Sequence, residues 1–366
     1  MGLMETNHLP TTHTSFIGRD VEYREIAQLL SNSPCRLLTL VGPGGIGKTR
    51  LALEAMRQFS FPHGVYFVSL QSLTSPAFML STLADALGFQ FYSGADPKQQ
   101  LLHYVSEKSL LLVLDNLEHL LEGVTLLSDM LAAAPRIRIL ATSRERLNLR
   151  EEWVLEVKGL QFPPTDAELN LEPYSAIHLF LQHTRRANVN FTLTDAQKPA
   201  VIRICRLIGG MPLAIELSAT WVKVLSCEQI AHEIERSLDI LETGARNIEP
   251  RHRSMRAVLD QSWHLLSHAE RDTCRRLSVF RGSFSREAAE YVAGTSLRVL
   301  TALLDKSLLR LSENGRYDLQ ELVRQYAEEE LAERPGEREQ VCSALLLWTS
   351  WGSGQTILLR YISVQR

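Results

Sequence analysis

Little in this sequence is built to cross a membrane, to chelate a metal through sulfur or to trap a polyanion. No apolar run approaches the ~20 residues that a membrane-spanning helix needs. Residues Met1 to Pro10 lack the apolar core of a secretory leader, so no signal peptide is expected. The five cysteines (Cys35, Cys205, Cys227, Cys274, Cys342) are odd in number and dispersed, with no C-x-x-C pair. That pattern fits buried apolar thiols in a reducing compartment, and the expected location is cytoplasmic. His264 and His268 are four apart, which suggests two positions on one helix face, and no third ligand at metal-site spacing accompanies them. Charge of one sign is also missing. With 39 basic against 42 acidic residues the net charge is -3, which excludes a chain-wide electrostatic footprint for nucleic acid or anionic lipid. No internal repeat of solenoid length is visible.

What is present in its place is ordinary globular material, 45% hydrophobic over 366 residues, enough for two or three domains with their own cores. A helical pattern from Val21 to Leu30 is followed by alternation. Short apolar runs at Leu37–Val41, Val65–Leu70, Leu110–Leu114 and Ile137–Thr142 read as strands. The stretches near Lys48–Arg57, Ser75–Leu87 and Gly123–Ala133 read as helices. Continuous rather than alternating apolar strands imply a parallel sheet covered by helices on both faces. The character changes near Gly159, and Gln161-Phe162-Pro163-Pro164 breaks the alternation. From Ser175 to Arg236 nearly everything reads as helix. After a softening at Gly244–Pro250 come three short helices and another at Ser296–Lys306. Leu308–Leu311 and Arg316–Leu319 flank Asn314-Gly315, a hairpin signal, and a helix at Gln320–Ala332 closes the region. The expected architecture is an α/β domain with a parallel sheet and helices on both faces, then an all-helical domain, then a winged-helix domain. The loop after the first strand, Gly42–Thr49, makes the first of these a P-loop NTPase domain.

Gly42-Pro43-Gly44-Gly45-Ile46-Gly47-Lys48-Thr49 matches G-x-x-x-x-G-K-[ST] in full, between a predicted strand and a predicted helix. The glycines let successive backbone N–H groups point at phosphate oxygens, and the following helix aims its positive end at the same anion. Lys48 is expected to reach the β- and γ-phosphates and Thr49 to ligate Mg²⁺. The apolar run Leu110–Leu114 ends in Asp115, a carboxylate placed to hold Mg²⁺ opposite Thr49. The next residue is Asn116 rather than a second acid. Either Glu118 polarises the attacking water or hydrolysis is slow. Arg144 ends the strand Ile139–Ser143 beside it, where it is placed to feel a γ-phosphate. The catalytic candidates are therefore Lys48, Asp115, Glu118 and Arg144.

Taken in order, these motifs resemble the STAND class of P-loop ATPases, of NB-ARC type, and in particular the ATPase module of bacterial AfsR- and LuxR-type transcriptional regulators. The resemblance runs over about residues 10 to 334. Phe16-Ile17-Gly18-Arg19-Asp20 resembles the family's entry motif, Val41–Thr49 its phosphate loop, and Leu114–His119 its metal-binding strand end. Leu140–Arg144 looks like its sensor strand, and Gly209-Gly210-Met211-Pro212-Leu213-Ala214 resembles its Gly-Leu-Pro-Leu-Ala motif. Ser254–Trp263 and Leu277–Phe284 are similar to its winged helix. The resemblance implies ATP/ADP contacts from Ile17, Gly18, Arg19, Gly42, Gly44, Gly45, Ile46, Gly47, Lys48, Thr49 and Arg50. It also implies that Pro212 packs on adenine. Where the family often carries Met-His-Asp, this chain has Leu319-Gln320-Glu321. Gln320 can donate a hydrogen bond to phosphate but cannot carry an imidazole's charge.

The implied domain plan is a polar leader (1–15), a nucleotide-binding domain (16–160), a helical ARC-like domain (161–245), a winged-helix domain (246–334) and an atypical tail (335–366). The implied function is a slow ATPase switch: ADP holds the domains closed, and exchange for ATP favours an open form that self-associates, in transcriptional regulation. Family relatives usually continue into a helical sensor array. Residues after Pro335-Gly336 follow no such pattern, so the tail is expected to be a truncated or frame-shifted end that lacks the sensor. Two other classes compete. A DNA-binding regulator would use the seven arginines between 251 and 281, but residues 246–334 hold 15 basic and 14 acidic residues, net +1, weak for a DNA reader. An AAA-type remodelling ATPase shares the loop, but no arginine finger or pore-loop segment can be picked out.

Overall fold

The computed structural model describes residues 16–32, 34–168, 170–244 and 252–351, and the calls that fall on the leader and on the last fifteen residues lie outside them. The chain divides into two compact units. One comprises residues up to Gly42 together with Ile46–Lys158; the other joins Pro43–Gly45 to the residues from Gly159 onward.

The first unit opens with α1 (Asp20–Asn32) and β1 (Leu37–Val41), followed by α2 (Lys48–Met56) and β2 (Val65–Ser69). It continues with α3 (Met79–Ala86), α4 (Pro97–Val105), β3 (Leu111–Asp115), α5 (Thr125–Ala133), β4 (Arg138–Ser143) and β5 (Glu152–Glu156). The five strands are all parallel in the order β2-β3-β4-β1-β5. Every residue of β1 and β3 is buried, which is why these strands read as unbroken apolar runs. One core packs Leu112, Leu114 and Ile139 of the sheet against Leu83, Leu101, Leu127 and Met130 of the helices. The register puts Leu114 beside Ala141, so Asp115 and Thr142 leave neighbouring strands at the same edge.

Two elements of this unit escape the sequence pattern. Helix α4 starts from Asp96, whose carboxylate accepts from Gln99 N–H at 3.2 Å, with Pro97 in the first turn; its apolar face is narrow, with Leu101 and Val105 fully buried. Strand β5 is the sheet's edge. Trp153 and Val154 are exposed and Leu155 is buried, so neither a continuous nor an alternating pattern shows.

The second unit is helical apart from one hairpin. It holds α6 (Ser175–Ala187), α7 (Lys198–Leu207), α8 (Pro212–Ala219), α9 (Cys227–Arg236), α10 (Met255–His264) and α11 (His268–Leu277). It then adds α12 (Arg286–Ala293), α13 (Leu297–Asp305), the antiparallel pair β6 (Leu309–Leu311) and β7 (Tyr317–Leu319), α14 (Glu321–Ala332) and α15 (Pro335–Trp351). Helix starts carry their own signals. Ser226 with Gln229 and Ser267 with Glu270 form capping boxes, and Ser254, Ser285 and Ser296 cap the starts of α10, α12 and α13. A short bridge between Phe284 and Tyr317 extends the hairpin pairing. His264 ends α10 and His268 begins α11, so the two histidines do not share one helix face.

The 335–351 segment forms a 17-residue helix where no element was expected. Pro335 starts it in place of an N–H that would have no partner. Val341 and Leu345 are buried, the Trp348 ring lies tilted against Tyr291 with centroids 5.4 Å apart, and Glu337 accepts from Arg276 at 2.7 Å. Among the described residues no helix is long and apolar enough to cross a membrane. The buried cysteines are poor nucleophiles, since burial pushes the thiols of Cys35 and Cys227 up to about 11.

Candidate nucleotide-binding site

The loop between β1 and α2 is shaped by glycines at positions where a side chain would be strained or crowded. Gly45 and Gly47 have φ of 78° and 94°, the left-handed region where a Cβ is strained. A Cβ on Gly42 would lie 2.8 Å from the carbonyl oxygen of Val157. Gly47 stands at the N-cap of α2 and offers no side-chain acceptor, so the first N–H groups of that helix keep their capacity for an anion. Lys48 is the first helical residue, and its ammonium donates to the carbonyl of Gly42 at 2.7 Å, which holds it over the loop.

Thr49 lies one residue on and its hydroxyl donates to Asp115 Oδ1 at 2.7 Å. The same oxygen accepts from the Thr142 hydroxyl at 2.6 Å. Thr142 in turn accepts the Asn116 N–H at 3.0 Å, so one hydroxyl ties the carboxylate to the turn that follows it. Asn116 takes φ 71°, a left-handed conformation that asparagine tolerates better than most residues. Motif reading passes over Thr142, although its hydroxyl holds the Asp115 carboxylate. Its signal lies in register, because β4 borders β3.

The remaining sequence candidates fall as follows. Glu118 and Arg144, 26 residues apart, form a buried ion pair with Nε donating to Oε1 at 3.0 Å. The Arg19 guanidinium donates to Glu22 at 2.7 Å, to the Lys158 carbonyl at 2.7 Å and to the Ile46 carbonyl at 3.0 Å. It is thus a brace between the entry segment and the phosphate loop. Ile17 and Gly18 precede it, Gly18 with φ 67°. Arg50 pairs with Glu54 along α2 at 3.1 Å. In the second unit Pro212 is the first residue of α8, and the next N–H, of Leu213, donates to the Gly45 carbonyl at 3.2 Å. Gln320 precedes α14 and is 4% exposed. Neither its amide nitrogen nor its amide oxygen has a hydrogen-bond partner, and it lies beside Gly209, where a Cβ would meet the nitrogen at 3.5 Å.

Lys48, Thr49 and Asp115, all in the first unit, fit a nucleotide with its metal. An uncapped helix start and a glycine loop suit phosphate, and a threonine hydroxyl facing a carboxylate is an all-oxygen donor pair of the kind Mg²⁺ takes. A buried amide with no partner is a polar group whose demand the chain itself does not meet.

Comparison with known proteins agrees on the class. The AAA domain family matches residues 31–149, so this part of the chain is a P-loop ATPase domain of AAA type. An uncharacterized protein of Mycobacterium tuberculosis strain H37Rv is 33% identical over 90% of this chain and 85% of its own length, and the chain belongs to the same family as that protein. Longer relatives are named as regulators. One named as an HTH-type transcriptional regulator, also from M. tuberculosis, is 35% identical over 81% of this chain. The regulatory protein AfsR of Streptomyces coelicolor is 27% identical over 92% of it. The chain spans about a third of the length of these regulators, 34% and 35% respectively. Among solved structures, a STAND protein with a tetratricopeptide repeat sensor from Pyrococcus horikoshii is similar over 93% of this chain and 46% of its own, with TM-score 0.38 and 17% identity. The Aeropyrum pernix ORC2 protein is similar over 94% of this chain and 98% of its own, with TM-score 0.46 and 15% identity. Both are too distant to carry an argument about function.

Proposed function

We propose that this chain is an ATP/ADP switch of the STAND class and NB-ARC type, a slow Mg²⁺-dependent ATPase in transcriptional regulation. In this reading residues 16–160 bind the nucleotide, 161–245 form the ARC-like helical domain, and 246–334 form a winged helix that packs and regulates. The observation that carries it most is the meeting of Lys48, Thr49 and Asp115 at the C-terminal edge of the sheet, with Thr49 hydrogen-bonded to Asp115 at 2.7 Å. The loop's N–H groups and Lys48 would hold the phosphates, and Thr49 with Asp115 would hold Mg²⁺. When bound, the metal would supply positive charge to offset that of the phosphates. Arg144 would tell ATP from ADP, Gln320 would donate its amide to a phosphate, and Pro212 would pack on the base. Such a switch needs contacts that differ between the two nucleotides, and exchange for ATP would favour self-association.

A regulatory rather than DNA-reading third domain is favoured by the commitments of its arginines. Arg256 pairs with Asp239 and Glu329, Arg276 with Glu337, and Arg281 with Glu328. Arg271 donates to the carbonyls of Trp263 and His264. Binding of ATP and ADP to the whole chain, measured by calorimetry, tests the proposal: Lys48→Ala abolishes it, and unchanged affinity in that variant would sink the reading. Turnover sustained at the rate of a metabolic kinase would contradict the switch.

A further inference from the structure

Two candidates of the site, Glu118 and Arg144, hold each other. Glu118 lies on the turn three residues past Asp115, and Arg144 directly follows β4, so both leave neighbouring strands at the edge that carries the phosphate loop. The turn is held in place by the Leu117 N–H, which donates to the Thr142 carbonyl at 3.0 Å. Glu118 is 7% exposed and Arg144 8%. The guanidinium engages Oε1 at 3.0 Å, while Oε2 is buried with no hydrogen-bond partner. A buried carboxylate with one oxygen unmet is an expensive arrangement for a purely structural pair. It is what a carboxylate awaiting a further donor would present.

We propose that this pair is a latch, in which Arg144 keeps Glu118 turned away from its hydrolytic role until the γ-phosphate of ATP draws the guanidinium off. The inference rests on the nucleotide reading above. A terminal phosphate competes well for a guanidinium, because it offers several charged acceptors in a geometry that suits the planar fork. ADP has no γ-phosphate and leaves the pair closed. Once released, the carboxylate accepts a hydrogen bond from a water. That water's oxygen bonds to the γ-phosphorus as the bond from phosphorus to the β-bridging oxygen breaks, and its electron pair stays with ADP. The proton passes to Glu118 and then to the departing phosphate. Arg144 acts on this step both by contacting the γ-phosphate and by releasing Glu118.

The latch makes ATP, and not ADP, bear the cost of opening the pair, so the readout is the ratio of the two affinities. Glu118→Gln weakens the pair and is expected to raise the ATP-over-ADP preference on the order of tenfold, the scale of one charge-assisted hydrogen bond. Single-turnover hydrolysis in the same variant should fall. Arg144→Ala should bring the ratio close to one. If either variant fails to fold, the double variant Glu118→Gln with Arg144→Gln keeps a neutral pair of similar size, and it too should lose the preference. Should Glu118→Gln move both affinities by the same factor, or the double variant keep the wild-type ratio, the pair is structural and the latch is wrong. A wild-type chain that binds neither nucleotide would overturn the nucleotide reading along with it.

Discussion

The hydroxyl of Thr142 makes two hydrogen bonds that a valine of the same shape cannot make, so Thr142→Val isolates its contribution. The residue is 1% exposed, and its neighbours are the Asp115 carboxylate at 2.6 Å and the Asn116 N–H at 3.0 Å. Losing a hydrogen bond to a charged group costs about 1.5–3 kcal/mol, and an orphaned N–H adds up to about 1–3 kcal/mol. Asn116 is only half-buried, so water recovers part of the second cost. Thr49 still donates to the same oxygen at 2.7 Å, which keeps the carboxylate partly satisfied. The net expectation is a loss of about 2–3 kcal/mol in the first unit. Because the chain has two units, one overall unfolding midpoint is a poor measure. Hydrogen exchange at the amides of β3 and β4 reports the affected unit alone. Thr142→Ser, which keeps the hydroxyl, should protect these amides nearly as well as wild type. Protection in Thr142→Val within about 0.5 kcal/mol of wild type would show that Asp115 is held without this bond, and the account of the strand end would fail.

Arg19→Lys replaces a fork that reaches two carbonyls and a carboxylate with a single ammonium, so it should cost about 1–3 kcal/mol and weaken ATP binding through Ile46. Arg24→Lys, on the exposed face of α1, is the neutral control, and equal effects of the two in calorimetry would refute the brace. Gln320→Leu removes two buried polar atoms without partners, so it should stabilise the nucleotide-free chain by about 1–3 kcal/mol while weakening ADP binding. Stability and affinity moving in the same direction would count against a phosphate contact. Burial, and then the nearby Arg186, push the His183 imidazole down to about 4 from its ordinary 6.5, with Glu216 at 3.7 Å. The unfolded chain therefore binds the extra proton first. Stability should fall as pH drops from about 6.5 to about 4, by on the order of 3 kcal/mol, and level off below that. Urea titrations of the second unit at pH 7 and pH 4.5 should show the fall in wild type and little of it in His183→Phe.

The strand–loop–helix around Gly42–Thr49 and the strand ending in Asp115 were legible because each is written in one short stretch. An apolar run means a strand covered on both faces, and the glycines mean positive φ. The helices of the second unit before α15 were legible for a similar reason, through serine caps and apolar periodicity. What escaped depends on who neighbours whom. Strand β5 has one partner and a mostly solvated face, so its Glu-Trp-Val-Leu-Glu carries no pattern. Helix α15 buries Val341 and Leu345 yet exposes Leu346 and Leu347, so its apolar residues do not fall on one side and its periodicity is blurred.

The same holds inside the site. Thr142 and Arg144 gain their partners from the parallel register of β3 and β4, which sets Leu114 beside Ala141 and hence Asp115 near Thr142. No spacing within either segment encodes that adjacency. Individual candidates such as Glu118 and Arg144 could be named from position along the chain, but their pairing could not. Two groups read separately as a water-polarising carboxylate and a phosphate sensor form one buried unit, joined at 3.0 Å. The pairing changes what each variant means. Removing Arg144 also strands a buried carboxylate, and removing Glu118 also leaves a buried guanidinium without its anion. Single substitutions at either position therefore combine stability with function, and the ATP-to-ADP affinity ratio separates the two because a loss of folding scales both affinities alike.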